Sequence, residues 1–261
     1  MAEPAADPPA DTADPVANAV VTPRASLFLR QMVQAALANR DAAPRAWTAH
    51  AHALLANLLM NDYLNSWNNA GPSELQQARE AADLAINLDP DLPAAHHAAG
   101  LIKRARGDHA AALAEFERAI ALDAGYARAH AQVGNQKVLS GRASESHRHF
   151  AEARRLNRRH PAIGYFDWGE GRAYLEEENW QEAVRWLRRS VAALPTVWYN
   201  RCYLAYAQNQ AGATSEARRT VRRFLDHPEF GEDGLKRAIA RLHANAARKD
   251  MGDWLEQIAK S

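Results

Sequence analysis

The sequence predicts an all-α protein, an α-solenoid of about five helix pairs with flanking helices at both ends. Three observations carry this. First, residues recur at a step of 34: Gly100 with Gly134, Gly107 with Gly141, His96 with His130, Phe116 with Phe150, and Leu88 with Leu122 and Leu156. Second, small residues (Ala99, Gly100, Ala112, Ala119) stand where two helices must approach closely, and Leu101, Leu113, Phe116 and Ile120 supply bulk between them. Third, Gly107 and Asp108 break the chain between the two helical stretches, as Gly does at a helix C-terminus. Repetition at such a period marks a stacked array. One helix pair cannot bury its apolar face alone, and its neighbours complete the burial.

Taken in order, residues 1–23 are rich in Ala and Pro, carry Glu3, Asp7, Asp11 and Asp14, and hold no basic residue. They are expected to form a disordered acidic tail. The repeat domain is expected over 24–246. Ser26–Asn39 has apolar residues at helical spacing and reads as an N-terminal helix. Arg45 to about Leu64 is a long first helix, Asn65–Ser73 an inserted loop with Asn, Gly and Pro turns, and Glu74–Leu88 the partner helix. In the next unit Ala94–Arg106 and His109–Leu122 are helices. Asp91 is placed to cap the first of them, and Pro93 suits its first turn. Repeat three runs from Ala127 to His160. The step from Ala153 to Ser190 is 37 residues, so three extra residues fall near 160–163. Repeat four, Gly164–Val197, is aromatic, and repeat five runs from Trp198 to about His227, ended by Pro228. Leu235 to about Ala246 and Asp250–Lys260 read as terminal helices, the last a cap over 247–261. Leu235, Ile239, Leu242, Trp254, Leu255 and Ile258 would close the stack.

The 261 residues carry a formal charge of +1, so no global charge draws the chain to nucleic acid or to a membrane. No apolar run approaches the ~20 residues of a membrane helix, and the N-terminus lacks the basic start and apolar core of a secretory signal. Cys202 is the only cysteine, which fits a reducing compartment and a cytoplasmic protein.

Eleven histidines invite a metal site. However, His50/His52 and His147/His149 are i, i+2 pairs that point to different helix faces, and His96/His97 are adjacent. No metal is therefore expected. Cys202 sits beside Tyr203 and Leu204 inside a helix and reads as a buried structural thiol. Glu176, Glu177 and Glu178 are consecutive and read as a solvated turn. The arginine clusters at 154/155, 158/159, 188/189 and 218/219/222/223 read as a solvated outer face, without the aromatic interleaving of a single-strand binder.

These units resemble the tetratricopeptide repeat. Its small residue at unit position 8 is Gly100, Gly134, Gly171 and Ala205. Its position 20 is Ala78, Ala112, Ser146, Ala183 and Ala217, and its position 27 is Ala85, Ala119, Ala153 and Ser190, with Phe224 departing. The resemblance implies that the first helix of each pair lines a concave groove. On the family's pattern the groove residues are His97 and Arg104 in repeat two, and Arg128, Gln132 and Asn135 in repeat three. Repeat four gives Tyr165, Trp168 and Arg172, and repeat five gives Tyr199, Tyr203, Tyr206 and Asn209. Arg with Tyr and Trp is a binding hot-spot composition. The family's clamp for chaperone C-termini needs Lys and Asn at positions where this chain has His97 and Leu101, so that partner is not expected.

The stretches 85–90, 107–123, 169–191 and 204–218 further resemble the repeat arrays that follow catalytic domains in bacterial adenylate/guanylate cyclases or winged-helix domains in regulators. Neither domain is present in this chain. The expected function is thus a non-catalytic interaction module that holds a protein or peptide segment in the groove, with no cofactor, no nucleic acid and no membrane insertion. The alternative is a regulatory or sensory array that responds to a small ligand and controls a separate output domain.

Overall fold

A computed structural model of the chain describes residues 22–38, 44–158, 163–227, 231–243 and 248–259. Among these residues there are thirteen α-helices and no strand. Helix α1 (Pro23–Ala38) lies against α2 (Arg45–Asn65), and five antiparallel pairs follow. They are α2 with α3 (Pro72–Leu88), α4 (Pro93–Ala105) with α5 (His109–Leu122), α6 (Ala127–Leu139) with α7 (His147–Leu156), α8 (Ile163–Glu176) with α9 (Trp180–Ala193), and α10 (Trp198–Gln210) with α11 (Thr214–Leu225). Helices α12 (Gly231–His243) and α13 (Lys249–Ala259) pack on the last pair. The expected acidic tail, the extra residues near 160, Pro228 and the end of the first terminal helix at Ala246 lie outside the described residues.

The local chemistry accounts for the boundaries. Pro93 opens α4, where a missing N–H costs nothing. Asp91 does not cap this helix. The N-cap is Leu92, and the Asp91 carboxylate instead accepts from Arg118 at 2.8 Å. Asp108 caps α5 by accepting from the Ala111 N–H at 3.0 Å. Gly107, Gly141 and Gly212 end the inner helices in the left-handed region, at φ +83°, +73° and +81°. In the fourth pair Glu178 takes the equivalent place at φ +55°. Repeat three departs from the template, because Ser146 occupies its alanine position and donates to the Ala143 carbonyl at 2.6 Å. A 3-10 turn, Ala143–Glu145, therefore precedes a shortened α7.

The core follows the small-against-large pattern. Phe116 fills the space over Gly100, and Phe150 lies between Gly134 and Gly169; both rings are fully buried. At the slipped step the junction is polar instead. Asp167 and Glu170 are buried, Arg189 bonds Asp167 at 3.1 Å, and Arg154 reaches Glu170 at 3.3 Å. Both guanidiniums lie over the Trp186 ring. Arg154 is thus largely withdrawn from solvent into this junction, whereas Arg189 and Arg188, the latter paired with Glu216 at 2.5 Å, stay exposed on the outer face. Arg218, Arg219, Arg222 and Arg223 are exposed. The glutamate triplet is exposed where α8 ends, as expected, and two of its members also find partners: Glu177 meets His147 at 3.1 Å and Glu176 pairs with Arg248.

At the C-terminal end Leu235, Leu242, Met251 and Leu255 are buried, with Ile239, Trp254 and Ile258 packed against them. The inserted loop after α2 has a consequence for the whole array. Its Trp67, 5% exposed, packs on Leu194 and Val197 beside Tyr165 and Tyr199. The first pair therefore touches the turn between the fourth and fifth pairs, and the concave face becomes a half-open hollow.

Candidate functional site

The inner helices α2, α4, α6, α8 and α10 surround a cavity of about 390 Å³. Its α2 wall is a ladder of asparagines, Asn57, Asn61 and Asn65, four residues apart and so on one helix face. Helices α4 and α6 contribute Arg104, Arg128, Gln132 and Asn135. The aromatic wall is Tyr165 and Trp168 from α8 with Trp198, Tyr199 and Tyr203 from α10. Arg172, Leu242 and Arg248 also line it, with leucines and alanines between the polar groups, and no Asp or Glu is among the described lining residues.

The aromatic wall is tightly knit. The Trp168 ring lies 4.7 Å from Tyr199 and 5.8 Å from Tyr203. The Arg172 guanidinium stacks 4.7 Å over Trp168 and 5.9 Å from Tyr203. Arg172 is 6% exposed, and its Nε has no hydrogen-bond partner. Nor has the buried indole N–H of Trp168. Arg104 donates to Gln132 at 2.5 Å. Burial, and then the like charge of Arg172, pull both Arg104 and Arg248 down to about 10, so both remain cations at neutral pH. Burial likewise holds the Tyr199 and Tyr203 phenols protonated by raising their pKa.

Of the residues expected in the groove, Arg104, Arg128, Gln132, Asn135, Tyr165, Trp168, Arg172, Tyr199 and Tyr203 meet around this cavity. His97, Tyr206 and Asn209 do not line it. His97 is 1% exposed and is packed between Phe116 and Tyr126. Its Nδ1 meets the Asn57 amide oxygen at 2.7 Å. The Asn57 amide nitrogen donates to the Ala53 and Ala94 carbonyls, which leaves that oxygen as an acceptor and sets Nδ1 as the protonated nitrogen. Tyr206 points to the C-terminal helices, donating to Asp250 at 2.5 Å and packing on Trp254. Asn209 accepts from Thr214 at 3.5 Å. The asparagine ladder, Trp198, Leu242 and Arg248 were not anticipated. The ladder had a sequence signal, three asparagines spaced four apart along one helix, whereas Leu242 and Arg248 had none.

Cys202 is 2% exposed, and burial pushes its thiol up to about 12, which keeps it unreactive. Among the described residues no group of three or more His, Cys, Asp or Glu is placed to hold a metal, and no helix is long and apolar enough to cross a membrane.

No protein-family model matches the chain, and no curated protein matches it in sequence. Its fold is similar to that of PilF from Pseudomonas aeruginosa, with a TM-score of 0.58 and 18% identity over 81% of this chain and 90% of that one. PilW, a type IV pilus biogenesis factor, gives 0.58 and 18% over 78% of this chain and 97% of its own. A tetratricopeptide repeat protein from Parabacteroides merdae gives 0.51 and 13% over 91% and 93%. Identities this low speak to the fold alone. That fold is the tetratricopeptide-type helical-repeat solenoid.

Proposed function

We propose that the chain is a non-catalytic interaction module that holds a segment of a partner protein in the cavity of its concave face. The observation that carries this reading is the lining itself. Aromatic rings and arginines, the residues that dominate binding energy, face an asparagine ladder whose amides suit an extended backbone. No cofactor or metal enters the reading, and nucleic acid is not the proposed partner. The single buried cysteine suits a reducing, cytoplasmic setting.

The test is affinity capture from native lysate with wild type and Trp168→Ala, read by mass spectrometry, with helicity followed by circular dichroism. Trp168 is half-buried on the cavity wall, so its loss removes a contact surface without emptying the core. We expect a protein held by wild type to be released by the variant at unchanged helicity. Equal capture by both would sink the groove assignment.

A second reading has one observation in its favour, since about 390 Å³ lies within the usual range of small-ligand sites. An array that senses a small molecule and acts on a separate output domain would be comparable to those of the bacterial cyclases and winged-helix regulators whose motifs it resembles. Thermal stabilisation by a small compound without any protein partner would favour it.

A further inference from the structure

We propose that the acidic N-terminal segment of this chain, residues 1–21, docks in the cavity in cis, placing its carboxylates against Arg104 and Arg172. The proposal rests on the reading of the cavity as a peptide-holding site and names the chemistry of the peptide.

The cavity asks for an anion. It gathers four arginines, of which Arg248 is already paired with Glu176, and none of the described lining residues is a carboxylate that could answer Arg104 and Arg172. Arg172, at 6% exposure, carries a donor with no acceptor, and the Trp168 indole N–H beside it is equally unmatched. A buried donor left without a partner costs about 1–3 kcal/mol. Arg172 also faces like charges, since it is the charge that depresses both Arg104 and Arg248. A carboxylate seated among them accepts from the unmatched donors and offsets the mutual repulsion. Only an acceptor-rich, negatively charged group does both.

The chain supplies such a group at the right place. Residues 1–21 carry Glu3, Asp7, Asp11 and Asp14, with no lysine or arginine. The segment joins the fold at the loop that follows α2, the helix that carries the asparagine ladder. The Pro23 carbonyl accepts from the Asn68 amide at 3.0 Å, and Asn68 is three positions from Asn65, which lines the cavity. At ~3.3 Å per extended residue, Asp14 can reach at most roughly 30 Å from that anchor, and Glu3 farther. Docked in cis, the segment would shield the site, and a partner would need similar acidic chemistry to displace it.

The test uses the full chain with Ala10→Cys, labelled with bimane, whose emission tryptophan quenches on contact. Cys202 is buried and stays unlabelled. We expect quenching in ~0.01 M salt and its loss in ~1 M salt, where the Debye length falls from ~30 to ~3 Å. Quenching should also be lost when Glu3, Asp7, Asp11 and Asp14 are all converted to amides, a change that leaves the repeat fold untouched. A synthetic peptide of residues 1–21 should bind the amide variant at least about tenfold tighter than wild type, because a tethered competitor acts at roughly millimolar effective concentration. Equal emission from the acidic and amide chains, or equal peptide affinity for both, would overturn the proposal. Either result leaves the partner-capture reading to be judged by Trp168→Ala.

Discussion

At the scale of single residues, His97 shows how a template position acquires a different role. Its ring is sealed between Phe116 and Tyr126, with Nδ1–H given to Asn57 and a bare, buried Nε2. Burial first, and then Arg128 and Arg104, lower its pKa well below 6.5. The folded chain therefore holds His97 neutral, while the unfolded chain protonates it near 6.5. Stability is complete above that pH and falls as pH drops below it. His149, half-buried and drawn down to about 4, adds in the same direction. Urea titrations at pH 7.5 and 5.5 should show a loss of about 1 kcal/mol or more attributable to His97. His97→Asn, though less stable overall, should lose less between the two pH values; an identical loss would show that His97 does not set the slope. Repeat spacing alone could not tell His97 from Arg104, since both were assigned to one groove-facing helix. The neighbours decided: the aromatic rings of α5 and the following turn enclose the histidine, whereas the longer arginine reaches past them to Gln132.

At the scale of helices, the glycine and phenylalanine spacing that announced the repeats also fixes how closely the helices pack. A Cβ on Gly100 would stand 2.4 Å from the Phe116 ring, and one on Gly169 would stand 2.3 Å from Phe150. On Gly134 the nearest ring atom is at 3.0 Å. The rings are sealed in the core and cannot swing away. Gly100→Ala and Gly169→Ala should therefore destabilise by about 1–2 kcal/mol, an overpacking cost of ~2–3 kcal/mol, at the upper end because the contacts fall below 2.5 Å, less the ~1 kcal/mol that alanine gains in a helix. Gly134→Ala should fall near neutral. Chemical denaturation of the three variants checks the order, and a neutral Gly169→Ala would refute the packing argument. Helix limits were legible to within a few residues because Gly107, Asp108 and Pro93 act through their own backbone chemistry. The shortened α7 was not, because Ser146 in an alanine slot bends the chain only through the bond it finds at Ala143. Nor was the ion-paired junction of Arg154, Asp167 and Arg189, which needs three helices in place before any of its charges has a partner.

At the scale of the whole molecule, a repeat array with contacts only between neighbours would unfold in pieces. Trp67 changes that by joining the first pair to the fourth and fifth. Trp67→Ala should cost about 3 kcal/mol as a large-to-small change at a buried site. Hydrogen exchange should then rise together in α2 and α10, the two sides of the join. A rise confined to the loop at 66–71 would show that the join carries no stability. The sequence marked this loop as an insertion rich in turn residues, but a tryptophan in a loop does not announce a surface more than a hundred positions away. For the same reason Leu242 and Arg248 could not be placed in the cavity from their own neighbourhoods.

That join also has an order in time. Trp67 and Val197 are far apart along the chain, and contacts of this kind form late because a long loop must close first. During synthesis at ~5–20 residues per second, the interval between the two residues lasts roughly 7–26 s. The asparagine ladder of α2 is then already made but faces no aromatic wall. A nascent chain that ends before the fifth pair can carry complete repeats and still lack the assembled site.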